Sequence, residues 1–168
     1  MAIRQHAVNT KTRPPARSPA GDAFSALAFR ILRLGGLLTA AGDTLARPAG
    51  QTSARWQVLA AVEHAPATVA QIARALGLAR QSVQRVADLL AEEGLTAYDD
   101  NPDHQRAKLL RLAPRGQSAL RAIQAAQRTW ADELGAEIGA APLRRAAAVL
   151  DGVAAALAKR AEPLSSGE

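Results

Sequence analysis

The sequence predicts a mainly α-helical protein with one short β-hairpin, and three observations support this fold class. Hydrophobic residues make up 48% of the 168 residues but aromatic residues only 3%, so the core must consist of Ala, Leu, Val and Ile. Mixtures of Ala and Leu with Arg, Gln and Glu favour helix over strand. Apolar residues also recur at helical spacing along most of the chain, except between residues 95 and 112, where two short strand-like segments flank a polar turn.

The elements follow in order from that spacing and from the Gly and Pro residues that interrupt it. Residues 1–20 are basic and proline-rich, which predicts a flexible arm, either a solvated tail or a segment that touches phosphates. Helices are predicted at about residues 22–46, 53–63, 69–76 and 80–93, then from 114 to a break at 139–142, and finally at 142–159. Strands are predicted at residues 95–99 and 107–112, joined by a turn long enough to project.

Charge and composition limit the classes of function. The net charge of +6 and the isoelectric point near 10.9 favour a polyanionic partner, nucleic acid or an anionic membrane surface, although arginine-rich codon usage explains the same balance. The absence of cysteine excludes disulfides and thiolate metal sites. No uninterrupted run of about 18 apolar residues is present and the N-terminus lacks a signal-peptide pattern, so we expect a cytoplasmic protein that does not span a membrane.

Residues 68–86 show the pattern of two helices joined by a glycine turn. Thr68 is a candidate N-cap, Gly77 forms the turn, Ile72 and Ala73 are expected to pack inward, and Leu78 is expected to seat the second helix on the same core. This packing leaves a group of polar side chains free at the head of the second helix: Arg80, Gln81, Ser82, Gln84 and Arg85.

Those side chains suit the major groove of double-stranded DNA. Gln can bond adenine through two hydrogen bonds, Arg can do the same with guanine, and Ser can bond a base or a phosphate. The segment from Ala70 to Ala87 contains no acidic residue that would repel phosphate. Thr68, at the start of the first helix, completes this predicted contact set, and a merely solvated polar face is the alternative.

The predicted hairpin after the second helix turns this pattern into a winged helix-turn-helix. Arg106 and Lys108 lie in or beside its turn, where they can reach a minor groove or the flanking backbone. Arg106 can also pair with Asp103 or Asp100 and brace the loop, and the two roles are compatible.

At this point the chain resembles the MarR family of regulators. The resemblance covers roughly residues 22–160 and rests on "RWQVLAAV", "TVAQIARALGLARQSVQRVADLLAEEGL" and "DDNPDHQRAKLLRLAPRGQSAL". The last segment is similar to the family's wing and its "LT-x-x-G" entry into the next helix, here residues 112–116. Arg106 matches the family's wing arginine, whereas His104 stands where the family often has a bracing aspartate, with Asp103 one position earlier.

The resemblance implies a homodimer whose outer helices pack together and whose two winged helices bind a pseudo-palindromic double-stranded operator. It also implies transcriptional repression and release from DNA by a small aromatic or phenolic effector, for which Phe29, Trp56 and Trp130 are candidate pocket residues, although such residues more often belong to the core. The implied domains are an arm (1–20), an N-terminal dimerisation helix (21–50), the winged helix-turn-helix (51–113), C-terminal dimerisation helices (114–162) and a tail (163–168).

Other functions fit the sequence less well. His6, His64 and His104 lack metal-ligand spacing and no glycine motif cradles a phosphate, so we expect no enzyme, no metal and no cofactor. A winged helix that binds proteins and an architectural protein that binds DNA without sequence preference remain as alternatives. The free Arg and Gln side chains argue against the first, and alanine at Gln81 or Gln84 separates the second from a sequence-specific regulator.

Overall fold

The structure is a computed structural model that describes residues 17–102 and 107–161. Most of the predicted basic arm, the wing segment 103–106 with Arg106, and the tail therefore lie outside the described residues. The chain divides into two compact units, residues 1–40 and residues 41–168.

The first unit consists of most of helix α1, which runs from Pro19 to Ala46 without a break at Gly35 or Gly36. Ser18 begins the helix, because its Oγ accepts a hydrogen bond from Gly21 N at 3.1 Å. Large apolar side chains of this unit are exposed: Phe24, Phe29, Leu32, Leu34, Leu37 and Leu38.

This helix also bears on the expectation about membranes. An 18-residue window within residues 19–49 has a mean hydropathy of 1.4, so the helix is long and apolar enough to cross a membrane by length and composition, a test that signal sequences and core helices of soluble proteins also pass. The sequence argument considered only uninterrupted apolar runs. Here Leu, Ile, Phe and Ala keep the mean hydropathy of the window high, although Arg30 and Arg33 interrupt the apolar run.

The second unit contains the remaining elements in the predicted order, which confirms the mainly α fold class. A short 3-10 helix (Arg47–Ala49) is followed by α2 (Ser53–Ala61), β1 (Ala67–Thr68), α3 (Val69–Leu76), α4 (Arg80–Glu92), β2 (Thr96–Asp99), β3 (Leu109–Leu112), α5 (Pro114–Ile138) and α6 (Ala140–Ala161). Thr52 is the N-cap of α2, since its hydroxyl accepts from Arg55 N at 3.3 Å.

The sheet has one strand more than the predicted hairpin. The strand order is β1-β3-β2 and both pairings are antiparallel. Leu110 of β3 lies opposite Ala67 on one side and opposite Tyr98 on the other. Strand β1 was not predicted, because a strand of two residues has no periodicity to detect.

The core lies where α2, α3, α4, the sheet and the first turns of α5 meet. Its largest fully buried side chains are Val58, Leu59, Ile72, Val83, Leu90, Leu110, Leu120 and Ile123. Leu78 was expected to join them, but its side chain is 45% exposed. The expectation is wrong because Gly77 ends α3 in the left-handed conformation (φ 65°), and the chain leaves the core at that turn.

The start of α5 fixes the base of the wing. Ala113 N donates to Leu95 O at 3.0 Å, and Arg115 Nη1 donates to Glu93 O at 2.8 Å. Gly116 passes so close to Leu95 that an added Cβ would lie 2.0 Å from Leu95 O. The glycine of the family-like segment 112–116 is therefore required by a backbone contact.

Candidate nucleic-acid interface

Helix α3 begins with a capping box. Thr68 Oγ1 accepts from Gln71 N at 3.2 Å, while Gln71 Oε1 accepts from Thr68 N at 2.8 Å and from the Thr68 hydroxyl at 2.9 Å. The prediction that Thr68 caps this helix is confirmed. Because its hydroxyl is engaged in the cap, we expect Thr68 to support DNA binding mainly by holding the helix terminus in place.

The head of α4 carries the predicted contact residues on two sides of the helix. Gln81, Ser82 and Arg85 are exposed and line one shallow cleft. Arg80 and Gln84, one helical turn apart, line a second cavity of about 250 Å³. Both sets of side chains lie towards the N-terminal end of α4, the part of a recognition helix that contacts base edges.

The second cavity lies between the helix-turn-helix and the wing, and residues from both line it. Besides Arg80 and Gln84 it is lined by Thr68 from the cap of α3 and by Tyr98 and Lys108 from the wing. Arg80 and Lys108 are exposed, so two cations border the opening. Because α3 and α4 contribute no acidic side chain before residue 88, this rim attracts a polyanion.

Gln84 is not free, contrary to the sequence prediction. Its side-chain Nε2 donates to Asp88 Oδ1 at 2.8 Å and to the hydroxyl oxygen of Tyr98 at 3.0 Å, and this hydroxyl donates to Asp88 Oδ1 at 2.8 Å. The interaction ties α4 to β2 of the wing. The role of Gln84 in DNA binding stays a prediction, and these hydrogen bonds engage the amide nitrogen that it would present to a base.

The Tyr98 phenol remains protonated in this network. Partial burial and the hydrogen bond to the negative Asp88 raise the pKa of Tyr98 to about 12, because both effects disfavour a phenolate. The Tyr98 hydroxyl therefore keeps its proton at physiological pH.

The wing itself is braced by an ion pair. Arg111 Nε of β3 donates to Asp99 Oδ2 of β2 at 2.7 Å. Asp99 is the last residue of β2, so the ion pair joins the two strands across the sheet. The pairing of Arg106 with Asp100 or Asp103 concerns a wing segment outside the described residues.

Two polar contacts fasten the helices behind this surface. Arg55 of α2 forms a salt bridge with Glu93, and the hydrogen bond from Arg55 lowers the pKa of the Glu93 carboxyl below its ordinary value. Gln124 of α5 donates from Nε2 to both carboxylate oxygens of Glu63, at 3.0 and 2.9 Å. The first contact joins α2 to the C-terminal end of α4, and the second joins the turn after α2 to α5.

The three candidate effector residues are distributed over both units. Trp56 is half-buried and packs against the core, and Trp130 on α5 is also half-buried. Phe29 belongs to the first unit and is 70% exposed. An effector pocket that includes these residues stays a prediction.

Sequence reasoning missed Asp88, Tyr98 and Arg111. One signal was available, because Asp88 lies four residues after Gln84 and the two side chains share a helix face. The partner on β2 could not be found in this way, since its register depends on the tertiary pairing with β3.

A helix-turn-helix, an adjacent hairpin and a cationic rim around the head of α4 define a winged helix protein of the DNA-binding class. The sequence model of the MarR family matches residues 49–107. The protein Rv2011c of Mycobacterium tuberculosis (strain ATCC 25618 / H37Rv) is 43% identical over 102 residues, which are 61% of this chain and 71% of that protein.

Solved structures agree with this class. The MarR family transcription regulator SP03579 superposes with a TM-score of 0.73 at 23% identity, over 84% of this chain and 95% of that chain. The M. tuberculosis transcriptional regulator MosR, in complex with DNA, superposes with a TM-score of 0.65 at 25% identity, over 77% and 96% of the two chains. The chain belongs to the MarR family and is a DNA-binding transcriptional regulator.

Proposed function

We propose that the protein is a sequence-specific repressor that acts as a homodimer on a pseudo-palindromic double-stranded operator and is released by a small aromatic effector. It acts in the cytoplasm, where the operator is accessible. The observation that carries the DNA part is the head of α4, where Arg80, Gln81, Ser82 and Arg85 are all exposed beside Lys108 of the wing.

The side chains of this surface suit contacts to both the phosphates and the bases of DNA. Arg and Lys at the rim of the helix head neutralise phosphates and set orientation, whereas Gln and Ser can reach base edges. A C2 dimer would place two such helices about one DNA turn apart, roughly 34 Å, so the operator should be a pseudo-palindrome.

Helix α6 supports a second copy of this chain as the partner. Between residues 140 and 160 every side chain is exposed except Val153, which is half-buried. Leu143, Leu150 and Leu157 recur every seven residues, the spacing of a helix seam that packs against another helix. In the first unit α1 likewise exposes Phe and Leu side chains, and a second copy would cover them without a membrane.

DNA binding is tested by fluorescence anisotropy on the DNA upstream of the protein's own gene and on a scrambled duplex, at physiological salt. We expect tight binding to the first and much weaker binding to the second. Equal, strongly salt-sensitive binding to both points to an architectural protein, and binding to neither favours a protein-interaction module. Arg85→Ala should reduce the slope of log Kd against log salt by about 1, whereas Arg121→Ala, an exposed arginine on α5, should leave it unchanged.

Dimerisation is tested by sedimentation in the absence of detergent. Leu150→Glu places a charge in the α6 seam and should shift the protein towards monomer, whereas Leu89→Glu, at a similarly exposed leucine of α4, should not. A monomeric wild-type protein, or one that sediments only with vesicles, refutes the dimer.

Repression and release are tested separately. Deleting the gene should raise transcription from the promoter that carries the operator, and a fall in transcription would indicate an activator. Calorimetry with a panel of phenolic compounds should find a ligand that lowers operator affinity, with a coupling free energy of about 1–3 kcal/mol. If no compound binds or weakens DNA binding, the effector is abandoned and the DNA-binding function stands.

A further inference from the structure

The first cleft at the head of α4 has one apolar wall among three polar ones. It is lined by Gln81, Ser82, Arg85 and Val86. The three polar side chains are exposed, whereas Val86 is half-buried and packs against the hydrophobic core. Gln81 and Arg85 are four residues apart, as are Ser82 and Val86, so the two pairs run side by side along one face of α4.

Val86 is held more firmly than the polar side chains around it. Its branched Cβ restricts rotation about χ1 in a helix. Val83, one turn earlier, and the adjacent Ala87 are fully buried, so this part of α4 is fixed to the core. Val86 therefore presents a preorganised methyl surface, which loses little side-chain entropy when a partner contacts it.

The charges around this cleft admit DNA. Arg85 contributes a positive charge, and among the described residues that line the cleft none is acidic. The nearest carboxylate along α4 belongs to Asp88, whose Oδ1 accepts hydrogen bonds from Gln84 and Tyr98. Those two residues line the other cavity, between α4 and the wing. A DNA strand can therefore approach the first cleft without repulsion from a carboxylate lining it.

The chemistry of the major groove narrows what the apolar wall can contact. The base edges there present hydrogen-bond donors and acceptors, together with one methyl group, at C5 of thymine. Gln81, Ser82 and Arg85 can bond the polar edges, but the side chain of Val86 has no polar atom. A donor or acceptor placed against Val86 would lose its hydrogen bond to water without a replacement, which costs free energy. The thymine methyl group has no such cost.

We propose that this cleft receives the C5 methyl group of one thymine in each half-site, in contact with Val86. The contact selects thymine over cytosine and uracil at that position. Gln81, Ser82 and Arg85 then face the polar edges of the flanking base pairs or the phosphates. The inference rests on the proposed function, because it requires α4 to lie in the major groove of a specific operator.

Uracil substitution locates the contacted thymine. The operator is selected from random duplexes with the wild-type protein, and each thymine of one half-site is replaced by uracil, which removes only the methyl group. We expect binding to weaken roughly 4-fold at the contacted position, the value for burial of one methyl group. 5-Methylcytosine should bind more tightly than cytosine at the same position by a similar factor. If every uracil duplex binds as tightly as the thymine duplex, the inference is wrong.

Val86→Ala tests whether Val86 makes this contact. The change removes both γ-methyl groups from the wall, so the ratio of thymine to uracil affinity at that position should fall towards unity. Any loss of folded protein affects both duplexes equally and cancels in the ratio. Leu76→Ala is the matched control, because Leu76 of α3 also packs partly buried against the core but lies outside the cleft. It should keep the wild-type ratio.

The possible failures can be distinguished. If no operator is selected, the sequence-specific function fails and this inference fails with it. If an operator is selected but Val86→Ala keeps the wild-type ratio at every thymine, another residue reads the methyl group and only the inference fails. Equal loss of the ratio in Val86→Ala and Leu76→Ala would also overturn the assignment to Val86.

Discussion

Gly116→Ala tests whether the base of the wing is set by a close backbone approach. A Cβ at position 116 would lie 2.0 Å from Leu95 O, 3.0 Å from Leu95 C and 3.0 Å from Leu112 Cδ1. Two of these three atoms belong to the backbone, so a side-chain rotation cannot relieve the overlap. Either α5 or the segment that enters β2 must move.

The cost follows from three contributions. Overpacking a well-packed site costs about 1–3 kcal/mol. Moving Leu95 O away also weakens its hydrogen bond from Ala113 N, worth about 1 kcal/mol. Alanine recovers up to about 1 kcal/mol of helix propensity. Because the overlap at 2.0 Å is severe, the net loss should fall at about 2–4 kcal/mol.

The assay is urea unfolding followed by far-ultraviolet circular dichroism at a fixed protein concentration, since dimerisation makes stability concentration-dependent. With an m value of about 2 kcal/mol/M, the midpoint should fall by roughly 1–2 M. Gly135→Ala is the matched control in the same helix, where an added Cβ meets nothing within 4 Å, and it should be neutral or slightly stabilising. Equal midpoints for the two variants would refute the close-approach argument.

Three further predictions concern the cap, the salt bridge and the phenol. Thr68→Ala removes the capping box and should cost about 1 kcal/mol in urea unfolding, whereas Thr68→Ser should retain most of it; equal losses would exclude the cap as the cause. The pKa of Glu93 lies below its ordinary 4.5 in the folded state, so its stabilising effect is present above that pH and is lost as the pH falls through the lowered value. The wild-type protein should therefore be more stable than Glu93→Gln at pH 7, and this difference should disappear in acid; a constant difference would contradict the assignment. Tyr98 is the single tyrosine, so the absorbance of tyrosinate should report its pKa near 12, moving towards 10 in Asp88→Asn, and the stability it contributes should be lost only above pH 10. A wild-type midpoint near 10 would show that the hydrogen bond to Asp88 is absent in solution.

The sequence predicted the helices and the hairpin well because their signals are local. Thr68 and Gly77 mark the two ends of α3 through its cap and its left-handed turn, and both could be identified from residue type and spacing. Burial at Ile72 and Val83 followed from the same periodicity. The failure at Leu78 arose where a turn redirects the chain, since periodicity carries no information about direction outside a helix.

The candidate site was only partly predictable for a related reason. Exposure of Arg80 and Arg85 follows from the face of α4 opposite its buried residues. The state of Gln84 does not, because it depends on Tyr98, which reaches α4 only through the register of β2 against β3. The hydrogen-bond partners of a side chain thus depend on the tertiary structure even when the residue belongs to a predicted helix.

The undetected strand β1 explains why the cap of α3 and the wing line one cavity. In β3, Leu109 lies opposite both Thr68 of β1 and Asp99 of β2, and Leu110 lies opposite both Ala67 and Tyr98. One central strand therefore fixes the position of the α3 cap relative to the residue that orients Gln84. A change in register at β3 would shift Thr68 and Tyr98 together, so the hydrogen bond between Gln84 and the wing depends on this sheet pairing.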